Sequence, residues 1–110
     1  MELKLDDPWF MLVESRVKTI EGRLRKGKFV DVAPGMELEI LSKRGDAIRA
    51  HIVAIRHYSS FREYLLQEGL ERTLPGVLSL DDGVEVYRRY YSQGLDEICG
   101  VVAMEMLLIV

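Results

Sequence analysis

The segment Arg16-Val17-Lys18-Thr19-Ile20-Glu21-Gly22-Arg23 holds the side chains best suited to chemistry in this sequence. Thr19, Glu21, Arg23 and Arg25 alternate with Ile20, Gly22 and Leu24, a strand pattern in which Glu21 and Arg23 project side by side from one face. Lys18 stands at the entry to that strand. Its ammonium can neutralise a phosphate or, when desolvated, act as a base. The planar guanidinium of Arg23 can grip a phosphate or a base edge with two parallel hydrogen bonds, and Glu21 can orient either neighbour. The same spacing also fits an exposed row of ion pairs, worth only about 0–1 kcal/mol.

Other chemistries find little support. His51 and His57 have no cysteine ligands nearby and no serine elbow beside them, so neither a metal site nor a nucleophilic triad is expected. Gly22 and Gly27 make neither a GxGxxG nor a P-loop pattern, and no cofactor is expected. The single cysteine, Cys99, excludes an internal disulfide and reads as a small buried hydrophobe. Of the charges, the stretch from Arg16 to Lys28 is net +5 in a chain of net −3, which leaves the remainder at −8. Such segregation marks either a local site for an anionic partner or a solvated strand and turn.

The elements that must position these residues follow from periodicity. With 110 residues, 48% of them apolar and 30% charged, a single domain spanning residues 1–110 is expected, with a core of its own. Asp7-Pro8 reads as a helix start, and Trp9, Leu12, Val13 and Val17 recur at helical spacing, predicting a helix over 8–17. Ala33-Pro34-Gly35 marks a turn, after which Met36, Leu38 and Ile40 alternate with Glu37 and Glu39 in a strand. Lys43 to Asp46 is a hairpin loop. Residues 47–56 make a long strand with Arg49 and His51 on one face and Ile48, Ala50, Ile52 and Ala54 on the other. Ser60 with Glu63, and Ser79 with Asp82, are capping-box spacings for two helices. Phe61, Tyr64 and Leu65 line the first, which ends near Gly69; Leu80, Val84, Tyr87 and Tyr91 line the second, which ends before Gly94. Val101 to Val110 is an apolar run fit for a central strand and, interrupted by Glu105, too short to cross a bilayer as a helix. The acidic start of the chain is unlike a signal peptide, so no membrane association and a cytoplasmic location are expected. The expected class is α+β, with a curved or barrel-like, mostly antiparallel sheet and short flanking helices.

Lys18, Glu21 and Arg23 fill the K, E and R of a G-x-K-x-x-E-x-R pattern, and the segment resembles the signature of the ASCH family of small PUA-like domains. Arg16 stands at the pattern's glycine. The stretches Tyr58-Ser59-Ser60-Phe61, Leu74-Pro75-Gly76, 86–92 and 99–103 are similar to the middle and C-terminal blocks of archaeal members. The resemblance implies a PUA-like small β-barrel with flanking helices and a cleft beside the signature that holds RNA or a nucleoside. Some small bacterial members remove the acetyl group from N4-acetylcytidine with a lysine, a threonine and a glutamate. Lys18 corresponds to that lysine, and Gln67-Glu68 resembles the pair containing the glutamate. Where that mechanism has its threonine, this chain has Glu21.

Three functions are therefore expected in order. The first is recognition of RNA or a modified nucleoside in a cleft bordered by Lys18, Glu21 and Arg23, with Arg25, Lys26 and Lys28 on the backbone and Tyr58, Tyr90 or Tyr91 offering a stacking plane. The second is hydrolysis of a nucleoside or RNA, with Lys18 and Glu21 or Glu68 as catalytic proton-transfer groups. The third is a protein partner bound through the tyrosine-rich helix from Leu80 to Tyr91.

Overall fold

Two hydrophobic cores, one on each face of a single curled sheet, account for the apolar patterning of the chain. In a computed structural model that describes residues 1–109, the elements are β1 (Glu2–Lys4), α1 (Trp9–Glu14), β2 (Ile20–Leu24), a 3-10 turn (Gly27–Asp31), β3 (Glu37–Leu41), β4 (Ala47–Tyr58), α2 (Phe61–Glu68), α3 (Leu70–Thr73), α4 (Leu80–Arg88), α5 (Leu95–Cys99) and β5 (Val101–Leu108). The sheet order is β1-β3-β4-β5-β2, antiparallel throughout except for the β1–β3 pair. β5 is an interior strand. Val102, Met104 and Met106 point into the first core, Val101 and Ala103 into the second, which is why this strand reads as a continuous apolar run instead of an alternating one. Val110, included in the expected strand, lies outside the described residues.

The first core is closed by α1 through Phe10 and Val13; the second is covered by α2, α3 and α4. The result is the α+β, PUA-like arrangement expected, a five-stranded curled half-barrel flanked by short helices. Its two edge strands face each other across the open side, where Arg23 Nη2 of β2 donates to the Lys4 carbonyl of β1 at 2.7 Å. Among the described residues no helix is long and apolar enough to cross a membrane.

The helix caps obey local chemistry. Ser60 Oγ accepts from the Glu63 amide at 3.0 Å and Ser79 Oγ from the Asp82 amide at 3.1 Å, as their spacing requires. The start of α2 is secured a second time by the buried Asp96, whose Oδ2 accepts from the Phe61 amide at 2.8 Å. Gly94 does lie beyond α4, but it also opens α5.

Three expectations require correction. Asp7 does not cap α1; its carboxylate pairs with Arg44 instead, and the helix is confined to Trp9–Glu14, burying Phe10 and Val13 while Val17 is half exposed. The alternation along β4 breaks at a bulge between Ile52 and Ala54. Beyond it Ala54 aligns with Glu105, and Ile55 takes the place expected of Ala54 against the first core; the extra residue switches the faces and aims Arg56 and Tyr58 at the helices. Finally, α4 ends at Arg88, short of the expected Tyr91, and packs Val86 and Tyr87 into the second core.

Candidate functional site

Lys18 reaches the interior because α1 ends in a reversing turn. The Val17 amide donates to Leu12 O and the Arg16 amide to Val13 O, both at 2.9 Å, the paired bonds of a Schellman stop. Arg16 occupies the left-handed position of that stop, with φ of 67°. Glycine serves there without steric penalty, which gives the glycine of the signature pattern a physical reason and shows that arginine can build the same turn under strain. Arg16→Gly should therefore raise stability by about 1 kcal/mol, seen as a rise of a few degrees in unfolding temperature. An unchanged or lower value would mean that the exposed Arg16 side chain supplies a compensating contact.

From the turn, the Lys18 side chain is fully enclosed, at 1% exposure. Its Nζ donates to Ile20 O at 2.7 Å and to Thr73 O at the end of α3, and lies 3.3 Å from Glu21 Oε1. These three acceptors match the three donors of an ammonium. Glu21 is as thoroughly engaged. Oε1 also accepts from the Gly22 amide at 3.0 Å and from the Tyr87 hydroxyl at 3.3 Å, and Oε2 accepts from Arg23 Nη2 at 3.2 Å. Arg23 lies over the Phe29 ring, its guanidinium carbon 5.6 Å from the centroid. The three signature residues thus form one chain of charge, positive–negative–positive, buried at Lys18 and Glu21 and partly open at Arg23, and not the exposed ion-pair row that the spacing also allowed.

Burial sets the protonation of this chain. It pushes the Lys18 pKa down, an effect that the adjacent Glu21 only partly offsets. For Glu21, burial acts upward, but Lys18 and Arg23 outweigh it and hold the carboxyl below its ordinary value. Arg23 is penalised by burial and raised by Glu21, with the net shift upward.

The cluster forms the floor of a cleft of about 250 Å³ on the open side of the half-barrel, where β2, the segment after β1 and the end of α4 meet. Its buried floor is Lys18, Glu21, Leu74 and Tyr87; its more exposed rim includes Lys4, Asp6, Tyr90 and Tyr91, with Trp9 on the wall.

Of the sequence candidates, Lys18, Glu21 and Arg23 come together here, and Tyr90 and Tyr91 join them. Glu68 does not line the cleft: Arg56 grips both its oxygens, from Nε at 2.5 Å and Nη2 at 2.9 Å, and Tyr58 donates its hydroxyl to it as well. Arg25 and Lys26 are exposed just past the end of β2, outside the cleft lining. Lys28 donates to Glu2 O at 2.5 Å, beside the N-terminal wall. Asp6, Trp9 and Lys4 complete the cleft without having been singled out. Their placement depends on β1, a three-residue strand whose parallel partner lies far along the chain. A short apolar–polar alternation at Leu3-Lys4-Leu5 is the local signal that marks it.

The sequence matches the ASCH domain over residues 3–110. No curated protein matches it. Among solved structures, the chain is 39% identical to the hypothetical protein PH0355 from Pyrococcus, with a TM-score of 0.87 over 98% of this chain and 97% of that one. It is 40% identical to protein PF0455 from Pyrococcus furiosus, with a TM-score of 0.75 over 99% of this chain and 98% of that one. The ASCH protein from Zymomonas mobilis shares the fold at 20% identity, with a TM-score of 0.62 over 96% of this chain and 65% of its own. Match, identity and coverage agree with the signature segment at the cleft floor, and the chain belongs to the ASCH domain family.

Proposed function

We propose that the cleft binds a single unstacked base of an RNA, or a modified nucleoside. The observation that carries this reading is the joining of a buried Lys18–Glu21–Arg23 chain to a small cleft walled by Trp9, Tyr90 and Tyr91. At about 250 Å³ the cleft falls just below the range of roughly 300–1,000 Å³ common for ligand pockets, so it suits one base or nucleoside and excludes a helix. Aromatic walls favour a splayed-out base, the usual mode of sequence-selective RNA recognition. Family membership supports an RNA- or nucleoside-related function in general. Arg25, Lys26 and Lys28, exposed just past β2, are the basic residues assigned to the RNA backbone.

Trp9, the single tryptophan, reports directly on occupancy. Its fluorescence should change on titration with cytidine, N4-acetylcytidine or a single-stranded RNA oligonucleotide. Nucleoside binding should be nearly independent of salt. RNA binding should weaken with a log–log slope of about −0.7 per phosphate contact, and Arg25→Glu with Lys26→Glu should flatten that slope. No response to any of these ligands would overturn the reading, and RNA binding that ignores salt would remove the role of the basic residues.

A hydrolase in which Lys18 moves the proton draws on one observation, the burial that pushes its pKa down. With Glu68 engaged by Arg56 and Tyr58, Glu21 is the carboxylate next to Lys18 in this arrangement. Turnover of N4-acetylcytidine in the same samples would favour this second reading.

A further inference from the structure

The rim of the cleft is bridged by a contact between residues 84 positions apart: the Tyr90 hydroxyl donates to Asp6 Oδ2 at 2.7 Å. Both residues line the cleft, and both are far more open to solvent than Lys18, Glu21 and Tyr87 on its floor. Tyr90 follows α4, where the backbone is hydrogen-bonded and the side chain is exposed. The amides of Tyr90 and Tyr91 both donate to Tyr87 O, at 3.0 and 2.9 Å, and the Tyr91 ring stacks on Phe61 with centroids 5.3 Å apart. The backbone there is pinned, so the available motion is rotation of the Tyr90 side chain, 52% exposed and free of the core. Such rotations take place on the picosecond-to-nanosecond scale.

The other side is fixed. Leu3 and Leu5, just before Asp6, are buried in the first core and fix its backbone, while the exposed Lys43 Nζ lies 3.3 Å from Asp6 Oδ1 on the outer side, a surface ion pair that adds little. The hydrogen bond from Tyr90 lowers the Asp6 pKa; burial acts upward, and Lys43 and Arg23 lower it further, so the net shift is downward. Asp6 is therefore an ionised acceptor at neutral pH. Burial and Asp6 together push the Tyr90 hydroxyl up to about 12, and it remains a donor.

We infer that Tyr90 is a swinging gate over the cleft, with Asp6 as its latch, so that entry and exit of any occupant require rotation of the Tyr90 ring. The gate is built from the chain's own residues and does not depend on which ligand the cleft takes. Trp9, inside the rim, senses it through collisional quenching by acrylamide. Tyr90→Phe and Asp6→Ala each unlatch the ring and should raise the Trp9 quenching constant by about twofold, while the double variant rises no further, the signature of two residues acting through one contact. Lys43→Ala, which touches Asp6 from outside, should leave quenching at the parent value. Because Tyr90→Phe removes one exposed oxygen, an unchanged unfolding temperature verifies the fold. Quenching in Tyr90→Phe equal to that of the parent, or additive increases in the double variant, would overturn the gate. Acrylamide being the probe, failure of nucleoside or RNA binding leaves this result unaffected.

Discussion

Glu21→Gln should lower the unfolding free energy at pH 7 by about 3–5 kcal/mol, a large part of the roughly 5–15 kcal/mol available to a domain of this size. The substitution keeps the shape of the side chain and removes the one negative charge between Lys18 and Arg23. Two cations are then left facing each other at the cleft floor, one of them fully enclosed. The pH dependence gives this prediction a second reading. In the parent, the folded Glu21 pKa lies below its unfolded value of about 4.5, so the unfolded chain binds the extra proton first. The stabilisation from Glu21 is thus complete above that value and is lost as pH falls through the folded pKa. Glu21→Gln should lose this component of the acid slope. It should instead gain stability on the alkaline side, because Lys18, already lowered by burial, no longer has a carboxylate to raise it. In the window between the folded Lys18 pKa and its unfolded value of about 10.5, the unfolded state binds the extra proton, and stability rises by up to about 1.4 kcal/mol per pH unit. Urea melts across acid, neutral and alkaline pH measure all three effects. A loss under about 1 kcal/mol at neutral pH would mean that water or a shifted Arg23 relieves the charge, and that the cluster is not the rigid floor described here.

The same saturation bears on function. Every donor of Lys18 and the strongest acceptor positions of Glu21 are occupied within the protein. These two residues hold the end of α3 and the edge strand β2 in place and present Arg23, which alone of the three reaches the more exposed part of the cleft. In the binding reading, Arg23 and the aromatic walls meet the ligand, and Lys18 and Glu21 keep them in position. Residues of the first kind should alter affinity with little change in stability; residues of the second kind should alter stability first.

Much of this arrangement was legible in the sequence where the signal is local. Alternation of Leu38 and Ile40 with Glu37 and Glu39, the Ser60 and Ser79 caps, and the run from Val101 onward sufficed to place β3, α2, α4 and β5. The side-by-side projection of Glu21 and Arg23 followed from a period of two and survives as a 3.2 Å ion pair. What escaped is non-local or depends on a single backbone irregularity. The bulge between Ile52 and Ala54 has no residue-type signature, yet it redirects Arg56 to Glu68 and so draws that glutamate into a contact outside the cleft lining. The single-turn helices α3 and α5 are too short to show periodicity, and each is bounded by a glycine. The second wall of the cleft requires Asp6 to meet Tyr90 across 84 positions of the chain, which no spacing rule can anticipate.

Gly22→Ala should destabilise the protein by about 2–3 kcal/mol, although glycine is a poor strand residue and alanine ordinarily improves on it. Gly22 has no left-handed φ that would demand glycine; its constraint is space. A Cβ there would sit 2.5 Å from Cε2 and 2.6 Å from Cζ of Tyr64. That ring cannot yield. It is fully buried, packed edge-on against Phe61 and Tyr87 with centroids 6.4 and 5.9 Å away and tilted against Tyr58 at 6.1 Å. The strain therefore falls on β2, whose Glu21 and Arg23 flank the new methyl and whose ladder to β5 fixes the cleft floor. Replacing the ring tests the mechanism: Tyr64→Leu alone should cost about 3 kcal/mol through the cavity it leaves. Combined with Gly22→Ala, the methyl occupies part of that cavity, and the pair should cost at least about 1 kcal/mol less than the two single losses added together. Strict additivity would show that Tyr64 is not what excludes a side chain at position 22, and a near-neutral Gly22→Ala would show that the strand, and with it the site, can shift to make room.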